Sequence, residues 1–241
     1  MADFGLLGRH LNHSFSAEFF NSKFEKEKLP HLYRNFDLPD LSQVRDMISR
    51  HKLKGLNVTI PYKTEIIEQL DEIDKTAAEI GAVNTIKVKT TGLKGFNTDA
   101  FGFKKSLSEH LSSGHKRALV LGTGGASKAV QYVLKTLEIE YLLVSRNPEI
   151  DQISYSQMTI DTVKNRPLII NCTPLGTFPN VKTYPDIPYA GATRGHLFFD
   201  LVYNPRETAF LNLGNEHGAK TVNGLDMLIY QAEKAWEIWT T

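Results

Sequence analysis

Short runs of apolar residues alternate along this chain with stretches in which apolar positions recur every three or four residues, the pattern that builds parallel sheets from strands and crossover helices. In the first third, FGLLG reads as a strand, Ser16 to Lys28 as a helix opening on a serine cap, and LYRNFDL as a second strand. A helix over Leu41 to His51, a strand through LKGLNVTI, a helix starting at Pro61 and a short strand at TIKVK complete that third. Proline suits a first helical turn because it lacks only an N–H that has no partner there.

A second unit is expected after GFNTD. Residues 99 to 112 read as a helix, the polar SSGHKR follows, and then comes the wholly apolar strand ALVLG. Beyond it the pattern gives a helix over Ala126 to Leu137, strands YLLVS, PLIIN and HLFFDLV, a helix over ETAFLNLGNEHG and a strand AKTV, with an irregular stretch between YLLVS and PLIIN. Continuously apolar strands belong to a sheet covered on both faces. Leu225 to Trp239 is a helix too apolar to stand in water, and it is expected to return to the first unit. The fold class is therefore α/β in two domains, residues 1–98 with 224–241 packed back onto them and residues 99–223. Two chain crossings between the domains leave an intervening cleft able to close.

Composition narrows the function classes. Among 241 residues, 28 basic side chains face 27 acidic ones, so the long-range field of a nucleic-acid binder is missing and no such partner is expected. No segment reaches membrane-spanning length, and the first ten residues lack the basic start and cleavage pattern of a secretory leader. The single cysteine, Cys172, has no second thiol for a disulfide or a thiolate metal set, which fits a reducing cytoplasm. His10 and His13 are the closest histidine pair, but no acid or thiol completes a ligand set, so no metal is expected. The partner is a small molecule, and the chain is expected to be a monomer or a homodimer.

The sequence ALVLGTGGASKAV sets Gly122, Thr123, Gly124, Gly125, Ala126 and Ser127 between a buried strand and a helix. There the backbone must turn tightly, and the helix N-terminus offers unpaired N–H groups to a pyrophosphate. The same turn could instead do no more than pack helix on strand. About 20 residues further on, where an acid would hold the adenosine ribose of NAD, stand Ser145, Arg146 and Asn147. A guanidinium suits a 2′-phosphate, so NADP (NADPH) is preferred over NAD, unless Arg146 is only a solvated loop charge.

The motifs HSFS (13–16), NVTIPYK (57–63), GAVNT (81–85), NTD with Gly102 following (97–102), NCTPLG (171–176), DLVYNP (200–205) and GLDMLIYQA (224–232) occur in the order found in the shikimate dehydrogenase family, which this chain resembles over nearly its whole length. The resemblance implies an N-terminal substrate domain, a C-terminal Rossmann-type NADP domain, and reversible reduction of 3-dehydroshikimate to shikimate on the route to chorismate. It implies that Lys63 donates the proton and that Asp99 pairs with it. It places Ser14 and Ser16 on the substrate carboxylate with Tyr203 helping, and Asn57, Thr59, Asn84 and Gln231 on the ring hydroxyls. It sets Thr173, Pro174 and Leu175 along the cofactor, and Val202, Tyr203 and Gly224 near the nicotinamide. Taken singly, Lys63 reads as an exposed helix residue, Asp99 as an N-cap, Asn57 and Asn84 as turn residues and Ser16 as a helix cap. Two departures from the family pattern are Ala17, where proline is common, and Ser145, where asparagine is. The rival readings are a dehydrogenase of dual quinate and shikimate use, and a non-catalytic ligand-sensing relative.

Overall fold

The structure, a computed structural model, describes residues 2–11 and 14–241, the side chain of Ala2 excepted; His13 of the HSFS motif lies outside the described residues. The chain divides into two units, Met1–Thr98 with Ala232–Thr241, and Asp99–Gln231.

The first unit runs β1 (Ala2–Gly8), α1 (Phe15–Lys26), β2 (His31–Asp37), α2 (Val44–Arg50), β3 (Leu53–Val58), β4 (Glu72–Ile73), α3 (Lys75–Ile80), β5 (Thr85–Lys89) and β6 (Gly92–Phe96). Its sheet has the order β2-β1-β3-β5-β6-β4. β1 lies parallel to β2 and β3, whereas β5 runs antiparallel to both β3 and β6. The expectation of parallel strands throughout is thus corrected here. Thr90 and Thr91 alone join β5 to β6, a span too short for a crossover, and Gly92 turns with φ 132°. The expected helix at Pro61 is also corrected. Residues 61–64 form a turn in which the Tyr62 N–H donates to the Thr59 carbonyl (2.9 Å), and only a short 3-10 helix over Glu65–Gln69 follows.

Side chains of β1 alternate between two cores, as a pleated strand requires. Phe4 and Leu6 pack with Phe20, Phe24, Tyr33, Ala232, Ala235 and Trp239, while Leu7 packs with Val44, Leu56, Ile66 and Val83. Trp239 lies where Gly55 has no side chain, since a Cβ there would run into the indole, and its Nε1 donates to the Ile86 carbonyl (2.9 Å).

The second unit contains α4 (Asp99–Ser108), β7 (Arg117–Leu121), α5 (Gly125–Thr136), β8 (Glu140–Ser145), β9 (Gln152–Ser154), α6 (Ile160–Lys164), β10 (Leu168–Asn171), β11 (Leu197–Asp200), α7 (Ala209–Glu216) and β12 (Lys220–Val222). α8 (Leu225–Thr240) begins in this unit and has its residues from Ala232 onward in the first. The sheet order is β12-β11-β10-β7-β8-β9 and every pairing is parallel. Counted within the unit this is 6-5-4-1-2-3, the doubly wound arrangement whose strand order reverses between its first and fourth strands. β10 and β11 are buried at every position, as their apolar sequences demand. On the helical layer, Gly102 of α4 permits a close approach, because a Cβ there would strike the Met227 carbonyl of α8.

Candidate active site

In the first unit the polar candidates gather where β1 and β3, being parallel, end side by side. The Thr59 N–H donates to the Leu7 carbonyl (2.8 Å), which ties the two strand ends together. Ser14, not Ser16, caps α1, its Oγ accepting from the Ala17 N–H (3.1 Å) and donating to Asn35 Oδ1 (2.8 Å). That frees Ser16 from the capping role the sequence suggested for it. Ser16 instead approaches the buried phenol of Tyr33 as a hydrogen-bonding partner.

From Tyr33 a chain of bonds crosses the sheet. Tyr33 Oη donates to Asn57 Oδ1 (2.8 Å), and Asn57 Nδ2 donates to the Asn84 carbonyl (3.2 Å) and to Thr85 Oγ1 (3.1 Å). Asn84 Oδ1 then accepts from the Thr98 N–H (2.7 Å). Asn57, Asn84, Thr85 and Thr98 are all buried, so these bonds meet little competition from water. The structure therefore links Ser16, Asn57 and Asn84 in one network that ends on the residue before Asp99. Burial pushes the Tyr33 phenol well above its ordinary pKa, against the opposing bond from Ser16. Tyr33 was missed in the sequence reading; the available signal was its inward position on β2, where a buried phenol needs a polar partner.

Lys63 is half-buried in the turn after β3. The buried residues Tyr62 and Ile66 pin that turn from either side. Tyr62 Oη donates to the Leu38 carbonyl (2.6 Å) and accepts from Arg9 Nε (2.6 Å), while the Lys63 carbonyl accepts from the Val83 N–H (2.7 Å). The lysine backbone is thus fixed independently of its side chain. Asp99 is buried as the first residue of α4, where the helix dipole favours a negative charge. Gln231 is buried on α8 and donates to the Leu228 carbonyl of its own helix (2.9 Å).

In the second unit the glycine turn sits at the switch point of the sheet. Gly122 has φ 100°, a conformation that favours glycine, and a Cβ there would meet Thr173 Cγ2 at 3.0 Å. The loops after β7 and β10 are therefore held close together. Gly124 precedes α5, no side chain caps that helix, and a Cβ on Gly124 would meet nothing within 4 Å. Open space over uncapped N–H groups is what a pyrophosphate requires, so these residues fit a dinucleotide. Thr123 and Gly124 are exposed, Gly125 and Ala126 are half-buried, and Ser127 is buried with its Oγ accepting from Gln131 Nε2 (3.1 Å).

At the end of β8, Ser145 Oγ accepts from the Asn147 N–H (3.2 Å) and donates to the Asn147 carbonyl (3.1 Å), shaping the loop from within. Arg146 is exposed and makes no ion pair among the described residues. Pro174 is exposed; Thr173, Leu175 and Tyr203 are half-buried. Val202 is buried and its carbonyl accepts from the Gly224 N–H (3.1 Å), while any Cβ on Gly224 would strike Leu201. Cys172 is half-buried, and desolvation of its sulfur pushes the thiol far above its ordinary value, with Asp200 adding to the effect.

Asp200 closes the apolar run LFFD and opens the DLVYNP motif, which by itself gave this residue no role. Its Oδ1 accepts from Asn171 Nδ2 (2.9 Å) and the Val202 N–H (3.0 Å), and its Oδ2 accepts from Thr208 Oγ1 (2.6 Å). Asn171 Oδ1 in turn accepts from Thr173 Oγ1 (2.7 Å), so one carboxylate organises the loops after both β10 and β11. Burial outweighs these three donors and pushes Asp200 up from 3.8 to about 6. A carboxyl with a raised folded pKa stabilises the fold at pH values below its unfolded pKa, and that contribution is lost as pH rises through the folded one. Asp200→Asn removes the titration, so the stability of the native protein relative to this variant is expected to fall by up to roughly 3 kcal/mol between about pH 4 and pH 7. Urea unfolding of both proteins across that range checks this, and a flat or widening difference overturns the burial argument.

The parallel sheet, its glycine turn and the separate polar network define a two-unit α/β protein with a Rossmann-type dinucleotide-binding domain. Residues 6–86 match the family described as the shikimate dehydrogenase substrate binding domain. The shikimate dehydrogenase (NADP(+)) of Methanococcus vannielii is 37% identical over 98% of this chain and 90% of its own length. That of Halothermothrix orenii is 39% identical over the same shares. The crystal structure of shikimate 5-dehydrogenase from Thermus thermophilus, in complex with NADP(H) and shikimate, superposes with a TM-score of 0.88 at 30% identity, covering 100% of this chain and 94% of that one. The chain belongs to the shikimate dehydrogenase family.

Proposed function

We propose that this chain catalyses the reversible, NADPH-dependent reduction of 3-dehydroshikimate to shikimate, in the cytoplasm and on the route to chorismate. The observation that carries the reading is the uncapped glycine turn at the sheet's switch point, in a chain whose residues 6–86 match the shikimate dehydrogenase substrate binding domain. NADPH, when bound, supplies the hydride. Gly122 to Ser127 would hold its pyrophosphate, Arg146 with Ser145 and Asn147 would meet the 2′-phosphate, and Thr173, Pro174, Leu175, Val202 and Gly224 would contact the rest of it.

Lys63 supplies the proton to the developing alkoxide, and Asp99 holds the amine over that oxygen. Ser14, Ser16 and Tyr203 take the carboxylate, while Asn57, Thr59, Asn84 and Gln231 read the ring hydroxyls. Both N–H donors of Asn57 are already engaged, so it meets its hydroxyl as an acceptor through Oδ1. A substrate lacking that hydroxyl leaves this buried oxygen with the Tyr33 bond alone and its second acceptor site unused, which is how such a pocket discriminates.

The deciding assay follows cofactor reduction with shikimate and with quinate, each with NADP and with NAD. Shikimate with NADP is expected to give the highest kcat/KM, by about tenfold or more over either exchange, the worth of one charge-assisted or buried hydrogen bond. Comparable rates with quinate indicate the dual-substrate enzyme, and no turnover with any pair indicates a ligand-sensing relative.

A further inference from the structure

Tyr33 lies outside every motif quoted above, yet it stands between two of them. Its ring stacks on Phe20 (centroids 4.7 Å apart, 14° between planes) and neighbours Trp239 (6.3 Å, 41°). Asn21 clamps its backbone from both sides, accepting from the Tyr33 N–H (2.9 Å) and donating to the Tyr33 carbonyl (2.9 Å). The phenol is only 2% exposed, so its hydroxyl points where the packing sends it, towards Asn57 and Ser16.

We propose that Tyr33 is a positioning residue for the substrate, its phenol holding Ser16 on α1 and the Asn57 amide on β3 in the register in which both meet one ligand. This inference rests on the function proposed above. The Asn84 carbonyl can only accept, so it takes an Asn57 Nδ2–H and sets which way the amide faces, and the phenol donates to the Oδ1 on the other side (2.8 Å). Tyr33 thereby fixes the position of the oxygen that Asn57 presents to a hydroxyl. Ser16 donates a hydrogen bond to the phenol oxygen and can turn that donor to a substrate carboxylate, whereas the phenol goes on donating to Asn57 Oδ1. Burial keeps the phenol neutral across the working pH range, so it neither gives nor takes a proton in the reaction. Its contribution falls on ground-state binding.

The test is Tyr33→Phe in the full chain, which keeps the ring stack and removes one oxygen. The KM for shikimate is expected to rise about tenfold, the loss of roughly one buried hydrogen bond, with kcat changed less than about threefold and the KM for NADP less than about twofold. On an Asn57→Ala background the same change is expected to raise the KM clearly less than tenfold, because one of the two partners of the phenol is already gone and only its hold on Ser16 remains. An unchanged shikimate KM, full additivity with Asn57→Ala, or parallel losses in both KM values overturns the proposal. Should Tyr33→Phe fail to fold, Ser16→Ala and Asn57→Ala combined decide the matter. Coupling of about threefold or more through the shared phenol supports it, and additivity overturns it. A native chain without turnover of shikimate removes the functional reading and this inference together; native turnover with an unaltered variant removes only Tyr33.

Discussion

Lys63→Ala is expected to lower kcat by roughly 10²- to 10⁴-fold while shifting the KM for shikimate by less than about threefold. The split follows from when the amine is needed. Shikimate and its ketone bind through carboxylate and hydroxyl contacts that exist before reaction, whereas a proton donor matters only as negative charge develops on oxygen. Loss of fold does not mimic this result. The Lys63 carbonyl keeps its bond from the Val83 N–H whatever the side chain, and the turn is pinned by Tyr62 and Ile66, which the substitution leaves alone. Steady-state kinetics with a melting curve for each protein make the comparison, and near-native turnover in Lys63→Ala removes lysine from the catalytic role.

The sequence reading reached furthest where one physical rule acted alone. ALVL followed by the glycines at 122, 124 and 125 becomes β7 and the turn before α5, because a buried strand must be apolar and the positive φ at Gly122 favours glycine. It fell short where several weak rules met. α3 is only six residues long, so it shows little periodicity, although Asp74 caps it by accepting from the Thr76 N–H (3.0 Å) and Gly81 closes it at φ 68°. β6 (GLKGF) carries two glycines in five residues and so lacks the β-branched run that marks a strand; Gly95 is there because a Cβ would run into Leu70. Pro61 was placed in a helix on a rule that holds for first turns, but the Thr59 to Tyr62 turn takes that place.

Within the site, motifs identified the groups that face outward from strand ends and missed those that brace them. Tyr33 braces Ser16 and Asn57 from a strand 24 residues before Asn57, and Asp200 braces Asn171 across a separation of 29. Both act through tertiary hydrogen bonds, which leave no local pattern to read. Ser145 also has a bracing part: its hydroxyl donates to the Asn147 carbonyl and accepts from the Asn147 N–H, which shapes the loop proposed to face the 2′-phosphate.

That use of Ser145 sharpens the expectation for its neighbour. With the loop after β8 shaped from within, Arg146 is left as the cation for a 2′-phosphate. Arg146→Ala is expected to raise the KM for NADP about 10- to 100-fold, the worth of one charge-assisted contact, and that for NAD less than about threefold. Because Arg146 is exposed, the discrimination should shrink as salt screens it, and the ratio of the two effects is expected to fall between about 0.05 and 0.5 M salt. Arg146→Lys separates charge from shape: an ammonium keeps the attraction but loses the planar fork, so it should restore part of the NADP preference and no more. Equal losses for NADP and NAD in the alanine variant exclude contact with the 2′-phosphate. Such a result would shift the cofactor choice onto Asn147 and the loop backbone, and would leave the proton-transfer role of Lys63 untouched.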